Sequence, residues 1–113
     1  MKRYKETRPW GSFDRFTHNE KSTVKILSIN EGGETSLQFH YKREEFWKIL
    51  SGHPKLRIGE EIFEAKPEDE FFVRQNQKHQ ISSPEGDAQI LEISFGDFDE
   101  KDIVRLQDKY GRE

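Results

Sequence analysis

The chain has no cysteine, one methionine and four prolines among its 113 residues. Without cysteine, disulfides and thiolate metal sites are excluded. No apolar run approaches the roughly 18 residues of a membrane span. The N-terminal stretch MKRYKETRPWG is basic but lacks the apolar segment of a secretory signal. A dominant charge sign is also missing. Lys and Arg number 19 against 22 Asp and Glu, for a net charge of −3, and no basic run marks a nucleic-acid surface. These absences lead us to expect a cytoplasmic protein with neither a membrane nor a nucleic acid as partner. Apolar residues are scarce too, at 31% against 36% charged, and the mean hydropathy is −1.05. Such a balance raises disorder as an option.

Aromatic residues argue for a folded chain. Nine Phe, three Tyr and two Trp sit inside alternating patterns, and a core of few large rings, extended by a homodimer interface, suits a domain of this length. The dominant period is two. In TVKILSIN, Val24 and Ile26 share one face and Lys25 and Leu27 the other. In TSLQFHY, Leu37, Phe39 and Tyr41 alternate with Gln38, His40 and Lys42. EFWKILSG, KLRIGEEIFEA, EFFVRQ, HQISS and AQILEISFG continue the pattern, and RPWGSFDRF adds an N-terminal strand. Gly59-Glu60 predicts a type II′ hairpin turn. Eight or nine short strands, punctuated by Gly- and Pro-containing turns, predict one all-β sandwich or barrel spanning 1–113. Only the tail reads as helical. Ile103, Leu106 and Tyr110 recur at three and four residues, Asp99 can cap and Gly111 can terminate, so a short C-terminal helix is expected.

The face carrying Gln38, His40 and Lys42 carries the chemistry. A polar strand face ordinarily does no more than meet water. Here Glu45 follows His40 by five residues across a bend at 42–44, and His79 opens a later strand. Residues at i and i+2 of a strand project to one side. The amide of Gln38, the imidazoles of His40 and His79 and the carboxylate of Glu45 therefore form a candidate set for a divalent cation, zinc first, then manganese, iron or cobalt. His18 and His53 fall outside this pattern and are expected in solvent. Trp10 and Trp47 are expected as core or interface rings.

The spacing Gln38-x-His40-x4-Glu45-x6-Gly52, followed by His79, resembles the cupins. Gln38, where most cupins have His, looks like the phosphomannose isomerases. The stretches RPWGSF (8–13), SLQFH (36–40), EEFWKILSG (44–52) and DIVRLQDKYGR (102–112) are similar to the type II mannose-6-phosphate isomerase domain, which in bifunctional enzymes follows a mannose-1-phosphate guanylyltransferase. The resemblance runs in order from Arg8 to Arg112. It implies a cupin double-stranded β-helix, a jelly-roll barrel, standing alone without the guanylyltransferase half. It also implies a metal held by Gln38, His40, Glu45 and His79, and interconversion of mannose 6-phosphate and fructose 6-phosphate. The alternative is a non-catalytic metal-binding cupin that holds a sugar phosphate or nucleotide sugar as a sensor or accessory module. Lys42 is the candidate proton carrier, because it shares the ligands' face and a nearby cation lowers a lysine pKa. Arg8 and Arg112 are the phosphate-binding candidates through the family motifs. Two departures stand out. The family's run of histidines before Arg reads His40-Tyr41-Lys42-Arg43 here. The Pro and Gly of its second turn are Arg74 and Asn76, of which Asn tolerates a left-handed backbone.

Overall fold

The computed structural model describes residues 3–111. Among these the chain forms eleven strands and no helix, and so no helix long and apolar enough to cross a membrane. They are β1 (Tyr4–Arg8), β2 (Gly11–Arg15), β3 (Ser22–Ile29), β4 (Leu37–Phe39), β5 (Glu44–Ser51), β6 (Lys55–Ile58), β7 (Glu61–Glu64), β8 (Glu70–Val73), β9 (His79–Ser82), β10 (Ala88–Phe95) and β11 (Val104–Gln107). One sheet has the order β3-β10-β5-β8 and the facing sheet β11-β4-β9-β6-β7, while β1 and β2 form a separate hairpin. The pairings are antiparallel.

The period-two pattern explains which residues fill the space between the sheets. Trp47 and Ile49 from β5, Leu56 and Ile58 from β6, Val73, Ile81, Ala88 and Ile90 are buried together, with Leu27, Ile29, Phe63 and Phe71 packed on them. The alternation of β3 resolves in one direction. Leu27 and Ile29 turn inward, whereas Val24 and Ile26 lie on the outer face, 58% and 59% exposed. Phe46, also on an outer face, is buried because Phe16 covers it with ring centroids 5.1 Å apart.

The predicted turns form. Gly59 (φ 62) starts the two-residue connection of β6 to β7. Asn76 adopts φ 63 and its N–H donates to the His40 carbonyl at 2.7 Å. Gly52 (φ 81) is required by close approach, since a Cβ there would stand 2.4 Å from the Asp87 carbonyl oxygen.

Two expectations are corrected. RPWGSFDRF is the turn and second arm of the β1–β2 hairpin rather than a single strand. The C-terminal helix is not formed. Asp99 caps only one turn, accepting from the Lys101 N–H at 2.9 Å, and its carbonyl accepts from the Asp102 N–H. The chain then extends as β11, because the backbone edge of β4 is open to pairing and takes Val104 and Arg105 opposite Phe39 and Gln38. Six to ten residues of helix stabilise themselves weakly, and an unpaired sheet edge offers the same backbone groups long-range partners.

Candidate metal centre

The bend between β4 and β5 builds the site. His40 and Glu45 are an odd number of residues apart, so one continuous strand would put them on opposite faces. β4 ends at Phe39 in one sheet and β5 starts at Glu44 in the other, and the break resets the alternation so that both residues face inward. Asp102 holds the bend. Its carboxylate accepts from the backbone N–H of Tyr41 at 2.9 Å and of Lys42 at 3.0 Å. Burial acts to raise its pKa, and these donors outweigh that to hold it below the usual carboxylate range.

His40, Glu45 and His79 converge in the interior, each about 2% exposed, and one donor atom from each lies within 4.8 Å of the others. Both imidazoles are anchored by their other nitrogen. His40 Nδ1 lies 2.6 Å from the Asp102 carbonyl oxygen and His79 Nδ1 2.9 Å from that of Gln77. A carbonyl only accepts, so each Nδ1 carries the proton and each Nε2 presents a lone pair. His40 Nε2 is 3.5 Å and His79 Nε2 3.8 Å from the Glu45 carboxylate. Burial lowers both imidazole pKa values, which keeps the rings in the neutral form that binds metals. His79 Nε2 is buried with no hydrogen-bond partner. A dry lone pair aimed at a carboxylate fits a cation between them. This donor set of two imidazoles and a carboxylate could hold a metal ion.

The other predicted residues fall in different places. Gln38 stands opposite His79 in the β4–β9 ladder and so shares the inner face. Its Oε1 accepts from Ser36 Oγ at 2.9 Å. Lys42 is exposed. Arg8 is paired with Glu6 on the exposed hairpin. Arg112 lies outside the described residues. Trp47 is 1% exposed and its Nε1–H donates to Glu45 Oε1 at 3.1 Å, whereas Trp10 is 73% exposed at the hairpin tip. His18 and His53 are exposed.

Two interior charges escaped the sequence reading. The Arg43 guanidinium donates from Nε to Glu45 Oε2 at 3.0 Å and from Nη2 to His40 Nε2 at 3.1 Å, and it packs 4.4 Å from the Phe98 ring centroid. A metal joining the trio must displace the contact to His40. Glu92 on β10 is 7% exposed. Burial, then Glu45, pushes its carboxyl pKa up to about 7, and Ser94 Oγ donates to it at 3.2 Å. Glu92 was legible as an acid in step with Ile90, inside an apolar run. Arg43 was not, because extending the parity of β4 through the bend assigns it to the outside.

A barrel of two antiparallel sheets with a buried His-Glu-His centre is the architecture of a cupin. The structure superposes on a cupin protein from Bacteroides fragilis with a TM-score of 0.60 and 24% identity, covering 69% of this chain and 70% of that one. It superposes on Pac13, a nucleoside dehydratase, with a TM-score of 0.66 and 18% identity, covering 81% and 73%. Residues 1–108 match the family "Mannose-6-phosphate isomerase C-terminal", and the chain belongs to it. The mannose-1-phosphate guanylyltransferase of Salmonella montevideo is 35% identical over 107 residues, 93% of this chain and 23% of the relative. The xanthan biosynthesis protein XanB of Xanthomonas campestris is 31% identical over the same shares. The chain thus spans about a quarter of the length of these relatives.

Proposed function

We propose that this single cupin domain is a metal-dependent sugar-phosphate isomerase, interconverting mannose 6-phosphate and fructose 6-phosphate in the cytoplasm. The observation that carries the reading is the convergence of two neutral imidazole lone pairs on the Glu45 carboxylate, in a chain of this family. His40, Glu45 and His79, with Gln38 as fourth ligand, would hold a divalent cation. Zinc is the first candidate, and manganese, iron and cobalt share the donor preference. Such an ion supplies Lewis acidity toward carbonyl and hydroxyl oxygens.

The chain's own residues do the rest. Arg43 and Trp47 hold the two Glu45 oxygens in place. The reaction moves a proton between neighbouring carbons, which calls for a carrier with a pKa near the working pH. Lys42, the candidate from the sequence, is exposed, so it serves only from the rim. Glu92 faces inward and titrates near neutrality, which makes it the better-placed carrier. The homodimer has its candidate surface on the outer face of the four-stranded sheet, where Val24 and Ile26 are exposed.

A second reading has one observation in its favour. Tyr41 and Lys42, where the family has histidines, are both exposed, so the chain would bind metal and a sugar phosphate or nucleotide sugar as an accessory module without turnover. The test is a coupled assay on mannose 6-phosphate, using protein stripped with a chelator and reloaded with zinc, manganese or cobalt. Turnover with one of these metals supports the isomerase. Stoichiometric metal uptake with no turnover in any of them selects the binding module.

A further inference from the structure

Arg105, a cation on the inner face, has no assigned role. Arg105 lies in β11, opposite Gln38 in the β11–β4 ladder, and Gln38 is opposite His79 in the β4–β9 ladder. Directly opposed residues of antiparallel strands project to the same face. Arg105, Gln38 and His79 therefore form one row, and His79 Nε2 lies 3.8 Å from the Glu45 carboxylate of the facing sheet.

The surroundings of Arg105 differ from those of the other arginines among the described residues. Arg3, Arg8, Arg43 and Arg57 each meet a carboxylate. Arg15 stacks over the Tyr4 ring and Arg74 is exposed. Arg105 is half-buried, no carboxylate among the described residues pairs with it, and its Nε is shut off from solvent with no hydrogen-bond partner. A dry N–H donor beside a permanent positive charge is costly unless an anion completes it. The guanidinium fork matches the oxygens of a phosphate group in two parallel hydrogen bonds.

We propose that Arg105 anchors the phosphate of the ligand, a phosphate monoester, with Gln38 between that anchor and the metal-binding trio. The inference rests on the sugar-phosphate reading and assigns its anionic end. Two strand spacings separate β11 from β9, roughly 10 Å, the order of length of an extended six-carbon sugar phosphate. Such a ligand can present its carbonyl end to the trio while its phosphate meets Arg105. Arg8, tied to Glu6 on the hairpin, has no such relation to the centre.

The test titrates the full chain with inorganic phosphate, mannose 6-phosphate and mannose by calorimetry, and follows the Arg105 Nε–H resonance by NMR. In the unmodified protein, phosphate and mannose 6-phosphate should shift that resonance and mannose should not. Arg105→Gln should weaken phosphate binding at least tenfold, Arg105→Lys should fall in between, and Arg8→Gln should match the parent. Metal uptake should be equal in all four proteins. Arg105→Lys retains the charge and stem, so it carries the comparison if Arg105→Gln does not fold. Undetectable phosphate binding, an unmoved resonance, or equal affinity in the Arg105 variants would overturn the assignment. Arg105-dependent phosphate binding without turnover of mannose 6-phosphate would leave the anchor standing and remove the isomerase.

Discussion

Along β5, β9 and β10 the inward positions change character from one end of the barrel to the other. At one end Ile49 faces Ile90, Ile90 faces Leu27, and Ile81 faces Leu56. At the other, Glu45 faces Ser94, Glu92 faces Lys25, and Gln38 faces His79. The same strands and the same alternation build both ends. Burial stabilises the first at about 25 cal/mol per Å² of apolar surface removed from water. The second carries desolvation costs that hydrogen bonds only partly offset. Arg43 satisfies Glu45, yet His79 Nε2 and Arg105 Nε remain unpartnered. The contrast separates the half of the interior that holds the fold together from the half that gathers the donor groups that could hold a metal ion.

The largest expected effect is at the polar end. Glu45→Ala strands the buried Arg43 charge and should cost about 3–5 kcal/mol in denaturant unfolding, with loss of metal uptake measured by elemental analysis. Full metal content in this variant would remove the site. At the apolar end, Ile49→Ala should cost about 2–5 kcal/mol, while the folded protein keeps its metal stoichiometry. Loss of metal there without loss of stability would erase the division between the two halves.

Glu92 supplies a smaller, pH-dependent effect in the metal-free protein. Its folded pKa of about 7 lies above the ordinary value of 4.5. The folded state therefore binds the proton more tightly than the unfolded chain. The associated stability is complete below about pH 4.5 and is lost as pH rises through 7. Glu92→Gln removes this titration. Relative to the parent, it should gain nothing near pH 4 and about 1–3 kcal/mol at pH 8, read from unfolding curves across that range. A constant offset at every pH would mean that the Glu92 pKa is the same in the folded and unfolded chain. The smallest effect belongs to Trp10→Ala at the exposed hairpin tip, within about 0.5 kcal/mol.

Much of the fold was legible because alternation is local. The two-residue rhythm of EFWKILSG and AQILEISFG fixes which side chains share a face, whatever the partner strands are. The Gly59 and Asn76 turns follow from what those residues tolerate at positive φ. His40, Glu45 and His79 could be picked out by residue type and spacing. The same rhythm could not say which face of TVKILSIN is the inside. The chain packs Leu27 and Ile29 inward and leaves Val24 and Ile26 outside.

Sequence alone determined the residue types, the period and the turns, since these depend on each residue's own chemistry and its nearest neighbours. Tertiary structure decided what depends on distant partners. The change of sheet between Phe39 and Glu44 brought His40, Arg43 and Glu45 to one side despite their odd spacing. The open edge of β4 drew the tail into β11 instead of a helix, and with it Arg105 into the row that leads to the trio. Both follow from one physical requirement. Backbone groups at a sheet edge must find partners, and when the barrel closes those partners lie far away in the chain.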